Sequence, residues 1–122
     1  STPSNSSAAS DVYKRQVQVY ANEIMYIEIS KRGTKVHTLN KGGMVEKVYS
    51  CKKSLDFLYE LFKESNFAYA HNSYIVNLAK VEGLEKNVAL LQMGIQLNVS
   101  RSKKGQFADA LIMFLGERNG MV

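Results

Sequence analysis

The chain has a single cysteine and a single proline. Cys51 cannot form an internal disulfide, which suits a reducing compartment. A lone thiol without a ligand pattern reads as a small, half-buried strand residue. The proline, Pro3, falls in a leading stretch of Ser, Thr, Asn and Ala. Histidine is scarce too, with only His37 and His71. Two histidines and one cysteine at these positions have no metal-ligand spacing. There is no Gly-x-Ser-x-Gly elbow and no phosphate-binding glycine loop. His71 and Ser73 flank Asn72, but a nucleophile needs an oriented base and an oxyanion hole, and no motif supplies them. The expectation is a protein that is not an enzyme and holds no metal or cofactor. No apolar run approaches the ~20 residues of a membrane helix. The polar, serine-rich start is unlike a signal peptide. With the reduced thiol, this leads us to expect a cytoplasmic protein. Internal repeats and heptad arrays are absent as well.

What is present fits one domain. The 122 residues are 45% hydrophobic, enough for a core. A net charge of +5 favours an anionic partner, although a charge of this size also serves solubility. Ser1 to Ser10 has too little apolar content to order itself. The string from Ser6 to Gln16 resembles translated adapter sequence. We therefore expect residues 1–16 to be a disordered or non-native tail, 17–118 the domain, and 119–122 a frayed end. Discounting Asp11, Lys14 and Arg15 lowers the net charge by one.

Val17 to Tyr20 is a short β-like run. Ile24 to Ile29 is rich in β-branched and aromatic residues. Ser30 to Lys35 reads as a basic hairpin loop turning on Gly33. Val36 to Leu39 continues as strand, Asn40 to Gly43 is a second turn, and Met44 to Tyr49 is a third strand. Ser54 then suits a helix N-cap. Leu55, Leu58, Leu61 and Phe62 follow on one helical stripe, with Asp56, Glu60 and Lys63 opposite. The helix is expected to end near Glu64. Val81 to Leu84, Val88 to Leu91 and Ile95 to Val99 are further strands, with turns at Lys86-Asn87 and Met93-Gly94. Ile95, Leu97 and Val99 alternate with Gln96 and Asn98. After Arg101 the period changes. Phe107, Ala110, Leu111, Phe114 and Leu115 mark an amphipathic helix, with Ser100 or Ser102 as its cap. The expected fold is mainly β: stacked antiparallel sheets with one short internal helix and a C-terminal helix.

One stretch combines opposite characters: His71-Asn72-Ser73 is polar, and Tyr74-Ile75-Val76 is bulky and apolar. Such a sequence holds three polar side chains outward on a buried footing. Asn pairs with adenine and Arg with guanine in bidentate fashion, while Lys and Ser suit phosphate oxygens. The candidate surface therefore joins the Ser30 to Lys35 loop, the His71 to Ser73 loop and Arg101. Each residue has a plainer reading: Asn72 as a turn residue, Arg101 as a surface ion pair, Lys31-Arg32 as edge protection.

Ile24-Met25-Tyr26-Ile27-Glu28, the Leu55 to Phe62 segment, Phe67 to Asn77 and Val99-Ser100-Arg101 resemble, in that order, the motifs of the LytTR family of bacterial DNA-binding output domains. The resemblance spans roughly Val17 to Leu115. It implies sequence-specific binding of double-stranded DNA in transcription regulation, read in the major groove by loops rather than by a recognition helix. It implies base contacts from Asn72 and Arg101, and from Arg32, Thr34 and Lys35 in the first hairpin loop. Some relatives use histidine in that loop; this chain does not. His71, Ser73, Lys31, Ser100, Lys80, Lys103 and Lys104 are expected to support the loops or touch the DNA backbone, His71 mainly by bracing its loop. The implied partners are direct repeats in DNA and a second copy of the domain on that DNA. The family usually couples this domain to a phosphoacceptor receiver, so either a receiver lies upstream of this chain or the domain is a stand-alone regulator. An RNA- or protein-binding β module with a basic rim is the alternative.

Overall fold

The computed structural model describes residues 19–39 and 46–119. The tail at 1–16, the Asn40 to Gly43 turn, Met44 and the last three residues lie outside them. The strands are β1 (Ile24–Ser30), β2 (Gly33–Leu39), β3 (Glu46–Cys51), β4 (Phe67–His71), β5 (Tyr74–Asn77), β6 (Val81–Glu85), β7 (Val88–Leu91) and β8 (Gln96–Asn98). The helices are α1 (Leu55–Phe62) and α2 (Arg101–Asn119). A five-stranded sheet runs β3-β2-β1-β5-β4 and a three-stranded sheet runs β6-β7-β8. All the strand pairings are antiparallel.

Two apolar layers lie on opposite faces of the larger sheet. On one face Ile24, Ile27, Val36 and Ile75 pack with Leu55 and Leu58 of α1. On the other, Met25, Leu39 and Val76 join Ala89 and Leu91 of the small sheet and Phe107 and Leu111 of α2. Ile24 and Met25 are both buried, on opposite faces as strand alternation dictates. An irregularity in β1 between Ile24 and Tyr26 then resets the alternation, so that Ile27 rejoins Ile24 in one layer and Tyr26 packs with Met25 on the other.

Local signals act as their chemistry dictates. Ser54 Oγ accepts the Phe57 N–H at 3.1 Å and caps α1. After Phe62 a 3₁₀ turn at Lys63–Ser65 ends on Asn66 in the left-handed region, φ 70°. Asn tolerates that conformation better than most residues. Asn77 uses its side-chain amide to donate to Ala21 O and Ile24 O, while its Oδ1 accepts the Ala79 N–H.

Several expected boundaries move. Val19 and Tyr20 are not strand; a 3₁₀ turn at Ala21–Glu23 precedes β1, held by the Asn77 bond to Ala21 O. The basic loop shrinks to Lys31-Arg32, because Ser30 pairs with Gly33 and the ladder continues through Thr34 and Lys35. β8 is only three residues long, although the exposure alternation from Ile95 to Val99 is as expected. Leu61 is 61% exposed rather than core. α1 meets the sheet through buried Leu55 and Leu58 with half-buried Tyr59 and Phe62 beside them, and Leu61 falls outside that stripe. No helix among the described residues is long and apolar enough to cross a membrane.

Candidate nucleic-acid interface

The strand pairings bring chain segments far apart in sequence to one end of the large sheet. Ser30 faces Gly33, Thr34 faces Cys51, Glu28 faces Tyr74, and His71 faces Tyr74. The β1–β2 turn, the end of β3, the start of α1 and the β4–β5 turn therefore share that end. Two backbone bonds tie the parts together. Ile29 N–H donates to Ser73 O at 2.8 Å, and Ser100 N–H donates to Ala70 O at 2.8 Å. The second bond fixes the first turn of α2 beside the β4–β5 turn.

The His71-Asn72-Ser73 loop has internal support. His71 Nδ1 accepts the Ser73 N–H at 3.1 Å, so the neutral ring carries its proton on Nε2. The ring also stacks on Tyr74, centroids 5.1 Å apart and 17° from parallel. The Tyr74 hydroxyl donates to Asn98 O, linking this strand to β8. Burial pushes the Tyr74 phenol up from its ordinary value. Asn72, on this base, is exposed. It lines a concavity shared with Arg32, Lys52 and the start of α1.

Glu28 and Asp56, carboxylates at this edge, have internal partners, and Glu46 at the far end of β3 shares one of them. Glu28 stands opposite Lys35 in the ladder, yet its Oε2 lies 2.6 Å from His37 Nε2. Glu46 Oε2 lies 3.4 Å from His37 Nδ1. The His37 ring stacks on Tyr26 with centroids 4.1 Å apart. The Tyr26 phenol is pushed up to about 12 by burial first and then by the charges of Glu28, Glu46 and Tyr74. Asp56, beside Asn72 in the concavity, accepts from the Tyr69 hydroxyl. The Tyr69 phenol is raised as well, first by burial and then by that bond. Lys103 Nζ lies over the Tyr69 ring, 5.2 Å from its centroid. Among the described residues, no carboxylate forms an ion pair with Lys31, Arg32, Lys35, Lys52 or Arg101. Uncompensated cations and an exposed Asn on a rigid edge suit an anionic, hydrogen-bonding partner.

Most of the expected site residues gather here. Lys31, Arg32, Lys35, Asn72, Arg101 and Lys104 are exposed, and Ser73, Ser100 and Lys103 are half-buried. Arg101 is the first residue of α2 rather than part of a loop after β8. Two residues do not fit. Thr34 is 0% exposed and its hydroxyl donates to Lys53 O at 3.1 Å, so it has no group to offer a base. Lys80 follows the far end of β5, where Asn77 meets the start of β1. A four-residue strand spans about 13 Å, so Lys80 stands at the opposite end of the sheet. Sequence reasoning missed Lys52, Lys53 and Asp56. Only the pairing of β3 with β2 brings the Lys52 backbone to the basic turn.

A family model for the LytTr DNA-binding domain matches residues 14–112. The match opens within the stretch expected to be tail. Among solved structures, the chain is similar to the LytTr DNA-binding domain of a putative methyl-accepting/DNA response regulator from Bacillus cereus. The two share 26% identity at a TM-score of 0.62, over 78% of this chain and 86% of that one. Comparison with curated protein sequences returns no match. The matched residues include β1 to β8 and the basic edge they build, and the chain belongs to the LytTR family of DNA-binding domains.

Proposed function

We propose that this chain binds double-stranded DNA sequence-specifically, in bacterial transcription regulation, through turns and the first turn of α2. The observation that carries this reading is the concavity that Arg32 and Asn72 share, with Arg101 next to the Ser100 N–H bond to Ala70 O and with Glu28 and Asp56 taken up by His37 and Tyr69. Asn72 and Arg101 make the base contacts, in the bidentate geometries that Asn and Arg offer adenine and guanine. Arg32 and Lys35 add contacts from the first hairpin. Lys31, Ser73, Ser100, Lys103 and Lys104 take phosphates or support the loops, and His71 braces the Asn72 loop. The reading is of the major groove, through the turns and the first turn of α2 rather than along the helix; the burial of Phe107 and Leu111 against the sheets supports a packing role for the rest of α2. The domain works in the cytoplasm as the output part of a response regulator, beside a phosphoacceptor receiver.

The test is a mobility-shift titration of a duplex pool against RNA of matched sequence. Tighter, sequence-dependent binding of duplex DNA supports the reading. Equal or tighter binding of RNA contradicts it.

A further inference from the structure

We infer that the Lys52-Lys53 segment, between β3 and α1, is a fourth contact region of this interface and takes phosphates flanking the bases met by Arg32 and Asn72. The inference rests on the DNA-binding reading above and adds a surface to it.

Three ties hold this segment against the β1–β2 hairpin. Thr34 pairs with Cys51 in the ladder. The buried Thr34 hydroxyl donates to Lys53 O. Gly33, at φ +141°, lies so close that a Cβ there would stand 2.1 Å from Cys51 O and 2.9 Å from Lys52 Cα. The backbone carrying Lys52 is thus fixed to the turn carrying Arg32. Lys52 lines the same concavity as Arg32 and Asn72. Lys53 lies next to it, its Nζ 5.0 Å from the centroid of the exposed Phe57 ring on α1. Asp56, the carboxylate in that concavity, accepts from Tyr69 and forms no ion pair with Lys52 among the described residues.

The chemistry favours phosphate over base edge. A lysine ammonium is a flexible point charge, without the planar fork that reads guanine. On a backbone locked to a base-contacting turn, such charges set register and orientation on the duplex. Lysines kept for solubility alone need no such placement.

The test measures affinity of the full chain for a selected and a random duplex between about 50 and 200 mM salt. The variants are Lys52→Ala, the double Lys52→Ala/Lys53→Ala, and Lys47→Ala. Lys47 is an exposed cation near the start of β3, about 17 Å along the strand from Lys52 and beyond the ~10 Å screening length. Removing one lysine–phosphate pair should lower the slope of log affinity against log salt by ~0.9. Lys52→Ala should do so and weaken both duplexes by the same factor, the double variant should lower the slope further, and Lys47→Ala should leave it unchanged. An unchanged slope in the double variant overturns the inference while leaving the DNA-binding reading intact. An equal drop with Lys47→Ala also overturns it, because net charge then explains the effect. If the wild-type chain shows no duplex binding, both readings fall.

Discussion

Thr34 shows how one register decides a residue's chemistry. In sequence it sits between Gly33 and Lys35 and reads as part of a basic loop. In the fold it is strand, and alternation turns it inward while Lys35 next to it faces out. Only the pairing register distinguishes those outcomes, and register is not a local property. Asn72 is legible in the sequence because a turn residue between two strands has nowhere to go but outward. Tyr26 carries a measurable consequence. Its phenol ionises near 10 in an unfolded chain and is pushed up to about 12 in the fold. The fold therefore prefers the neutral phenol. That contribution is fully present below about pH 10 and is lost as pH rises toward 12, where the unfolded chain binds fewer protons. The melting temperature should fall over that interval. Tyr26→Phe keeps the ring on His37 and should show a shallower fall, followed by circular dichroism. Identical alkaline profiles would contradict the assignment.

Elements are legible to uneven degrees, for physical reasons. The α1 cap and the alternation from Ile95 to Val99 depend on neighbours in sequence, and both stand as expected. Leu61 departs from expectation because a helical stripe defines a face but not how much of it a neighbour covers. An eight-residue helix on a sheet buries Leu55 and Leu58 and leaves Leu61 out. Lys80 departs because sequence order does not say which end of a strand a residue leaves from. Lys52 escapes sequence reasoning because it joins the edge only through pairing of β2 with β3. That junction depends on Gly33, where a side chain would meet the backbone of Cys51 and Lys52. Gly33→Ala should therefore destabilise the domain by at least ~1–3 kcal/mol, the usual cost of a strained backbone position, and lower its melting temperature by several degrees. An unchanged melting temperature would show that the junction relaxes freely.

At the scale of the molecule, two stacked sheets act as a frame that holds several short segments at one end. Contacts spread along an edge meet successive grooves only if the duplex curves toward the protein, and such bending costs ~1–6 kcal/mol. A net charge of +5 neutralises few phosphates, so a second copy on neighbouring sequence would raise affinity if the two copies touch, since the second step is then effectively intramolecular. The family resemblance implies sites that occur as direct repeats, and we predict them on that ground. A duplex with two repeats should give two shifted bands. Displacing one repeat by half a helical turn should weaken the second. Equal affinity for one repeat and two, at any spacing, would favour independent binding.

Base reading by Asn72 and Arg101 is the central claim, and one measurement addresses it directly. A duplex enriched from a random pool by the wild-type chain is titrated, beside a shuffled duplex, with wild type, Asn72→Ala and Arg101→Ala. Each variant should lose ~1–3 kcal/mol on the enriched duplex and relax preference at one or two base pairs. Its affinity for the shuffled duplex should change far less. If both variants weaken the two duplexes by the same factor, these side chains touch only the backbone, and the assignment of the base-reading edge is wrong.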